Sequence, residues 1–403
     1  MIKPNTIAII AIFKNEAPYI LEWITHHINI GVDFFYIADN ESTDGTSELL
    51  AALDSLNIIK HIRFPTPKDS PPQLPAYEQL MRIYGDRYEW YAFIDADEFI
   101  TPQGSETLAS MLAQHSENPN VGGIALNWAV YGSSNKLNYS DELVMERFNQ
   151  RGEKTITLNK HFKSIVRSSA FKSAAGNPHC FKLKDGFHYA HTDGKPVSNL
   201  VDAVDGLSKG VCWDFFRLNH YVVKSYEEFI NKKNRGRATK PAISVENRNQ
   251  SFFLEHDVND VFEASDERII SATKKRVNEL KNILTKRFGG ELLEHSKFVL
   301  NNLIHGHQDL VQIDGDLIRI RGWAFSTDYK NTTYTLFYAQ EQLVVENVEV
   351  VDRPDVKQAY PDAPLDSGFV ITARKPDKTL NINLANFELS VSVGPKSVLL
   401  KKN

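Results

Sequence analysis

Residues 7–13 form an unbroken apolar run, Ile-Ala-Ile-Ile-Ala-Ile-Phe, the pattern of a strand buried on both faces of a parallel sheet. It stops at the polar cluster Lys14-Asn15-Glu16. Pro18 suits the first turn of a helix, and Ile20, Leu21, Ile24 and Ile28 then recur at helical spacing until Gly31 ends it. The pattern repeats with a strand over Phe34-Phe35-Tyr36-Ile37-Ala38, the polar stretch Asp39-Asn40-Glu41-Ser42-Thr43-Asp44-Gly45-Thr46, a helix from Ser47 to Leu53 and a strand from Asn57 to Phe64. Strand–helix units joined by short loops predict a parallel α/β sheet whose ligands bind outside the carboxyl ends of the strands.

A proline-rich loop leads to a helix from about Ala76 to Tyr84. Next comes Tyr91-Ala92-Phe93-Ile94-Asp95-Ala96-Asp97-Glu98-Phe99-Ile100, a buried-strand pattern carrying three acidic side chains within four positions. A helix is expected over Leu108 to His115, a strand over Val121 to Tyr131, and short strands with turns from Lys154 to Phe187. Ser225 followed by Glu228 is a capping box that starts another helix. Residues 255–300 read as helix, with an apolar stripe (Ile269, Ile270, Val277, Leu280, Ile283, Leu284) broken at Gly289-Gly290. Beyond His305, short alternating runs predict a small antiparallel β-sandwich. The expected division is 1–254, 255–304 and 305–403.

At 403 residues, with 42% hydrophobic and 24% charged residues, the chain has the make-up of a soluble globular protein. A net charge of −5 argues against a general nucleic-acid-binding surface. Cys180 and Cys212 are the sole cysteines, so neither a disulfide framework nor a thiolate zinc site is expected. No apolar run reaches the roughly 18–20 residues that span a bilayer. The amino terminus does not read as a signal peptide, so a cytoplasmic, bacterial setting is expected. The basic, amphipathic 255–300 segment could rest on the inner face of a membrane or pack its stripe on the first domain.

An Asp-x-Asp at a strand end suits a hard cation, because carboxylate oxygens match Mg²⁺ or Mn²⁺. Four features stand in order: strand-Lys14-Asn15-Glu16, strand-Asp39 to Thr46, strand-Asp95-Ala96-Asp97-Glu98, and Asn219-His220-Tyr221. With His220-Tyr221-x-x-Lys224-Ser225-x-Glu227-Glu228-Phe229 and Lys233-x-Arg235-Gly236, they resemble GT-A-fold glycosyltransferases of the family-2-like and family-92-like group, over about residues 5–240. The resemblance implies a mixed GT-A sheet and a Mn²⁺ or Mg²⁺ ion. Asp97 and His220 would hold the ion, and Asp95 would reach it through water or contact the ribose. Lys224, Lys233 and Arg235 would close over the donor diphosphate. Asn15, Glu16, Asp39 and Asp44 would line the nucleoside pocket, touched also by Gln73 and Tyr77. Ser42, Thr43 and Gly45 read better as turn formers.

An inverting transferase needs a base for the acceptor hydroxyl. The candidates are Asp193 and Asp214, while His179 and His188 could bind acceptor or order loops. Trp128, Tyr131 and Trp213 could stack on an acceptor sugar or belong to the core. Gly322-Trp323-Ala324, Arg353-Pro354-Asp355-Val356 and Gly368-Phe369 resemble β-sandwich modules of bacterial glycan-modifying enzymes, which implies glycan binding or oligomer contact. The expected activity is inverting transfer of a hexose from a UDP-sugar to a bacterial surface-glycan or lipid-linked acceptor of lipopolysaccharide or capsule type. The rival reading is a non-catalytic carbohydrate-binding scaffold. A sugar nucleotidyltransferase would need a glycine-rich basic loop after the first strand, which Lys14-Asn15-Glu16-Ala17 is not.

Overall fold

The computed structural model describes residues 2–402 apart from 66–69, 175, 198–205, 235–249, 299–303, 327–331, 340, 361–362, 376–382 and 394–395. It divides into two compact units, Met1–Val299 and Leu300–Asn403. The first is built on a nine-stranded sheet. Its strands are β1 (Ile7–Phe13), β2 (Phe34–Asp39), β3 (Lys60–Arg63), β4 (Trp90–Phe93), β5 (Glu98–Pro102), β6 (Val121–Val130), β7 (Phe162–Arg167), β8 (His188–His191) and β9 (Phe216–His220). The main helices are α1 (Ile20–Asn29), α2 (Thr46–Ser55), α3 (Gln73–Tyr84), α4 (Leu108–Glu117), α5 (Tyr226–Asn234) and α6 (Glu267–Phe288).

β1 is flanked by β2 and β4, and β2 by β3, all parallel. Every residue of β1 is buried because both faces are covered. Ile9, Ala11 and Phe13 face the core of α1 and α2, and Ala8 and Ile10 face that of α3. Phe13 is in register with Asp39, so the polar loops after β1 and β2 emerge side by side. β7 runs antiparallel between β4 and β6. The other edge of β6 is shared in succession: β8 pairs with Val121–Ala125 and β9 with Trp128–Val130, both parallel. At the gap between them lies Asn127, fully buried. Its amide donates to Ser208 Oγ (2.8 Å) and its carbonyl accepts from Cys212 N–H (3.1 Å), so a side chain supplies the bonds a strand would.

The single strand expected over Tyr91 to Ile100 is two. β4 ends at Phe93 and β5 begins at Glu98, on the far side of β9, to which β5 is antiparallel. The acidic residues make the break: Asp95 N–H donates to Glu98 Oε2 (2.8 Å) and Glu98 N–H returns to Asp95 O (3.1 Å), closing a turn. The helix expected over 255–300 is also divided, into Gln250–His256, α6 and Glu291–His295, with Gly289 at φ +87° where α6 stops. Val277, Leu280 and Leu284 of its stripe are buried in the core shared with α1.

α5 begins as the capping box predicts: Ser225 Oγ accepts from Glu228 N–H (3.3 Å), and Glu228 Oε2 accepts from Ser225 N–H (3.1 Å). Glu228 also receives both Arg147 guanidinium nitrogens at 2.8 and 2.9 Å, with each side chain nearly inaccessible. Removing one member of such a buried pair costs about 3–5 kcal/mol, because the other charge is left uncompensated. The second unit has a five-stranded and a four-stranded sheet. Ile318, Ile320 and Ile371 of one share a core with Leu336, Leu389 and Val391 of the other, which makes a small sandwich. No helix among the described residues is long and apolar enough to cross a membrane.

Two outcomes follow from the buried charges. Arg147→Met should lower unfolding free energy by about 3–5 kcal/mol in urea melts, and Arg147→Met with Glu228→Gln should recover part of that loss. Glu22 on α1 accepts from Val144 N–H (2.7 Å) and Met145 N–H (3.1 Å), yet burial pushes its carboxyl from 4.5 to about 7. A carboxyl raised in the folded state gives its full contribution below the unfolded value and loses it as pH climbs through the folded one. Stability should therefore fall by up to about 3 kcal/mol as pH rises from about 4.5 to about 7. Glu22→Gln should flatten that fall; an unaltered pH profile in the variant would remove Glu22 as its source.

Candidate active site

The strand ends place three carboxylates in three environments. Asp95, after β4, accepts from Gln73 Nε2 (2.7 Å) and Tyr77 Oη (3.3 Å) at one oxygen and from Lys163 Nζ (2.9 Å) at the other. Burial raises the Asp95 carboxyl, but the Lys163 ammonium on β7 outweighs this and holds it below its usual range. Glu98 is fully buried and accepts from Asp95 N–H and from Trp128 Nε1 (2.8 Å), with Lys163 Nζ at 3.8 Å. Its carboxyl is pushed up by burial. Glu98 is the brace of the turn, tying it to β6 through Trp128.

Asp97 is the member that faces the end of β9. Its carbonyl accepts from Tyr221 N–H (2.9 Å), and its Oδ2 lies 3.7 Å from His220 Nε2. The same oxygen pairs with Lys232 Nζ, which also donates to Val222 O (2.6 Å). Burial opposes ionisation of Asp97, yet Lys232 and His220 together hold its carboxyl well below the ordinary value. Burial lowers the His220 imidazole, which packs against Trp128 with ring centroids 4.3 Å apart. His220 Nδ1 is buried with no hydrogen-bond partner among the described residues.

Asp97 and His220 offer donor types that fit a divalent cation: a carboxylate oxygen and an imidazole nitrogen on neighbouring segments, 3.7 Å apart. Mg²⁺ or Mn²⁺ takes about six donors, the rest coming from water and a ligand's phosphate oxygens. Asp95 differs, since both of its oxygens are engaged by Gln73, Tyr77 and Lys163. Its side chain keeps 35% exposure, which leaves an edge open toward a ligand.

The polar loops after β1 and β2 brace each other. Asn15, at φ +53°, takes Thr43 N–H on its Oδ1 (2.8 Å) and gives its own N–H to Ser42 Oγ (3.0 Å). Asp44 accepts from Ala17 N–H (3.1 Å) and Thr46 N–H (3.0 Å), and Glu16 N–H donates to Thr46 Oγ1 (2.9 Å). Asp39 is buried, accepting from Ser42 N–H (3.2 Å) and Ser47 Oγ (2.5 Å). All four residues reach the same sheet edge as Asp95, and Asn15, Asp39 and Asp44 use side-chain oxygens to bind the loops' own N–H and hydroxyl groups.

Lys224 is buried at φ +57° with its ammonium 4.1 Å from the centre of the Tyr19 ring. The side chain of Lys233 and the whole of Arg235 lie outside the described residues. Asp193 and Asp214 come together with Cys212, their ligating atoms within 4.8 Å of one another. Asp193 Oδ2 is paired with Lys195 Nζ (2.6 Å). None of the contacts of Asp193 or Asp214 among the described residues reaches Asp97 or His220. Trp213 donates to Trp128 O (2.9 Å), and Tyr131 Oη accepts from Arg217 Nη2 (2.9 Å). His179 Nδ1 bonds Phe162 O (3.0 Å) beside Trp128, whereas His188 sits at the start of β8.

Sequence reasoning missed Lys163 and Lys232. Lys163 sits inside a strand among apolar neighbours, where alternation aims it at the face bearing Asp95. Lys232 stands four residues after Glu228, on the same buried face of α5. A lysine on an otherwise buried stripe was the available signal.

Residues 4–201 match the sequence profile of Glycosyltransferase family 92. A family 92 protein of Oryza sativa subsp. japonica is 29% identical over 233 residues, covering 57% of this chain and 35% of that protein. One from Ricinus communis is 28% identical over 246 residues, covering 59% and 39%, and one from Arabidopsis thaliana is 27% identical over 250 residues, covering 58% and 40%. The chain thus spans well under half the length of these relatives. The crystal structure of S. aureus TarS overlays 99% of this chain and 78% of its own at 11% identity, with a TM-score of 0.32 that adds no weight to the assignment. The profile match takes in β1 to β8 with the acidic turn and stops before His220. Residues 4–201, just under half of the chain, are thus similar to Glycosyltransferase family 92 across the parallel strands and their acidic edge.

Proposed function

We propose that the protein is a metal-dependent glycosyltransferase that moves a hexose from a UDP-sugar to a saccharide acceptor with inversion. The observation that carries this is the convergence of Asp97 and His220 at the strand edge, beside the Asp95–Lys163 pair. Breaking the donor's glycosidic bond builds negative charge on the leaving diphosphate, and a divalent cation stabilises that charge. Asp97 and His220 would hold the ion. Trp128 keeps His220 in place by a tilted ring contact, while Glu98 fixes Trp128 and the turn that presents Asp97.

Asp95, held in one orientation by Gln73 and Lys163, offers its open edge to a ribose hydroxyl. Asn15, Glu16, Asp39 and Asp44 line the nucleoside end in this reading, as residues whose loops are already rigid and need little ordering on binding. Lys224, Lys233 and Arg235 supply positive charge for the diphosphate. Asp193 and Asp214 are the candidates for the base; burial raises the Asp193 carboxyl, but its bonds to Lys195 hold it below its usual value, which weakens it as a proton acceptor. The relatives from Oryza sativa, Ricinus communis and Arabidopsis thaliana are plant proteins, so the proposal extends to a saccharide acceptor and stops short of the bacterial surface glycan expected from sequence.

Hydrolysis and transfer should be measured with Mn²⁺ and a panel of UDP-sugars. Chelation should abolish turnover and added Mn²⁺ restore it. Asp97→Asn and His220→Ala should each lower kcat/KM by about 100-fold or more. Full activity and intact Mn²⁺ binding in both variants would overturn the metal site.

A further inference from the structure

Asp97, the proposed metal ligand, already has a cation. Lys232 Nζ pairs with Asp97 Oδ2, the oxygen that faces His220 Nε2 at 3.7 Å. The lysine is 6% exposed, and its second acceptor is Val222 O at 2.6 Å, on the segment whose Tyr221 N–H bonds the Asp97 carbonyl. Lys232 is carried there by a fixed support. One turn earlier on α5, Glu228 is held by the capping box and by both nitrogens of Arg147, and Phe229 and Ile230 are buried. The base of the lysine is therefore anchored, while its four-carbon stem remains rotatable.

An ammonium and a divalent ion cannot both sit on one buried carboxylate oxygen, because like charges a few ångströms apart repel strongly where water is excluded. Nor can Asp97 stay ionised and buried without a partner. We propose that Lys232 is an exchangeable internal cation: it neutralises Asp97 in the metal-free protein, yields that oxygen when Asp97 and His220 take a divalent ion, and turns its charge to the donor diphosphate. The proposal rests on the metal-site reading above. Exchange links two binding events. The ion must displace the ammonium, and a diphosphate gives the displaced ammonium a new partner, so each ligand strengthens the other reciprocally.

The test is Mn²⁺ binding, read from the free-ion electron paramagnetic resonance signal, with and without UDP. It is run on the wild type, Lys232→Met, Lys232→Arg and Asp97→Asn. Without nucleotide, Lys232→Met should bind Mn²⁺ about tenfold or more tighter than the wild type, because no internal cation has to leave. With Mn²⁺ saturating, the same variant should bind UDP more weakly, and Lys232→Arg should stay near the wild type in both. Lys232→Gln, which can still donate to Val222 O, replaces the methionine variant if circular dichroism shows that one unfolded. Equal Mn²⁺ affinity in the wild type and the neutral variants, with Asp97→Asn abolishing binding, would overturn the exchange and leave the metal site standing. Absence of Mn²⁺ binding in all variants, with UDP present, would overturn both.

Discussion

Everything at the sheet edge depends on neutralising buried negative charge. Asp95, Asp97 and Glu98 fall within four positions, two of them almost wholly inaccessible. Ionised carboxylates in that setting are costly unless cations are delivered to them. The fold delivers two by different routes. Lys163 comes from β7, a strand locked between β4 and β6, and its partners Asp95 and Glu98 are fixed as firmly as the sheet. Lys232 comes from a helix, at the end of a long stem. One acidic turn therefore has a rigid half and a half that can change partners, and that asymmetry separates Asp95 from Asp97 more sharply than their spacing does.

The strands were legible because apolar runs such as residues 7–13 have no other home than a doubly covered sheet. The Ser225–Glu228 cap was legible because its bonds are local. The break at Asp95–Glu98 was not, since the residues that read as a continuing strand are apolar on both sides and only the turn's own hydrogen bonds divide them. The charge pairs were hidden by distance along the chain: Lys163 lies 68 residues from Asp95, and Lys232 lies 135 from Asp97. No local pattern announces such partners. A buried lysine can be suspected from its apolar neighbours, but its carboxylate must be found in space.

The residues expected around the nucleoside show another limit. Asn15, Asp39 and Asp44 are the types that bind sugars and bases, and they are also the types that close turns. Here they do the second visibly, cross-linking the loops after β1 and β2. Rigid loops make a better-ordered pocket, so the two roles are compatible, and the structural one is the one written into the hydrogen bonds. Lys224 makes the same point for charge, since its ammonium lies over the Tyr19 ring.

The divided edge of β6 has an evolutionary consequence. β8 stops at Ala125 and β9 starts at Trp128, with the Asn127 side chain closing the interval. The chain between those two strands includes Asp193, Cys212 and Asp214, and its described residues meet the rest of the unit through the isolated bridges of Pro196 to Ala190 and Leu207 to His161 and through the Asn127 side chain. Insertions or rewritten sequence there leave the register of β9 intact, and with it the placement of His220. Sequence there can drift while the strand edge that carries Asp97 and His220 keeps its place.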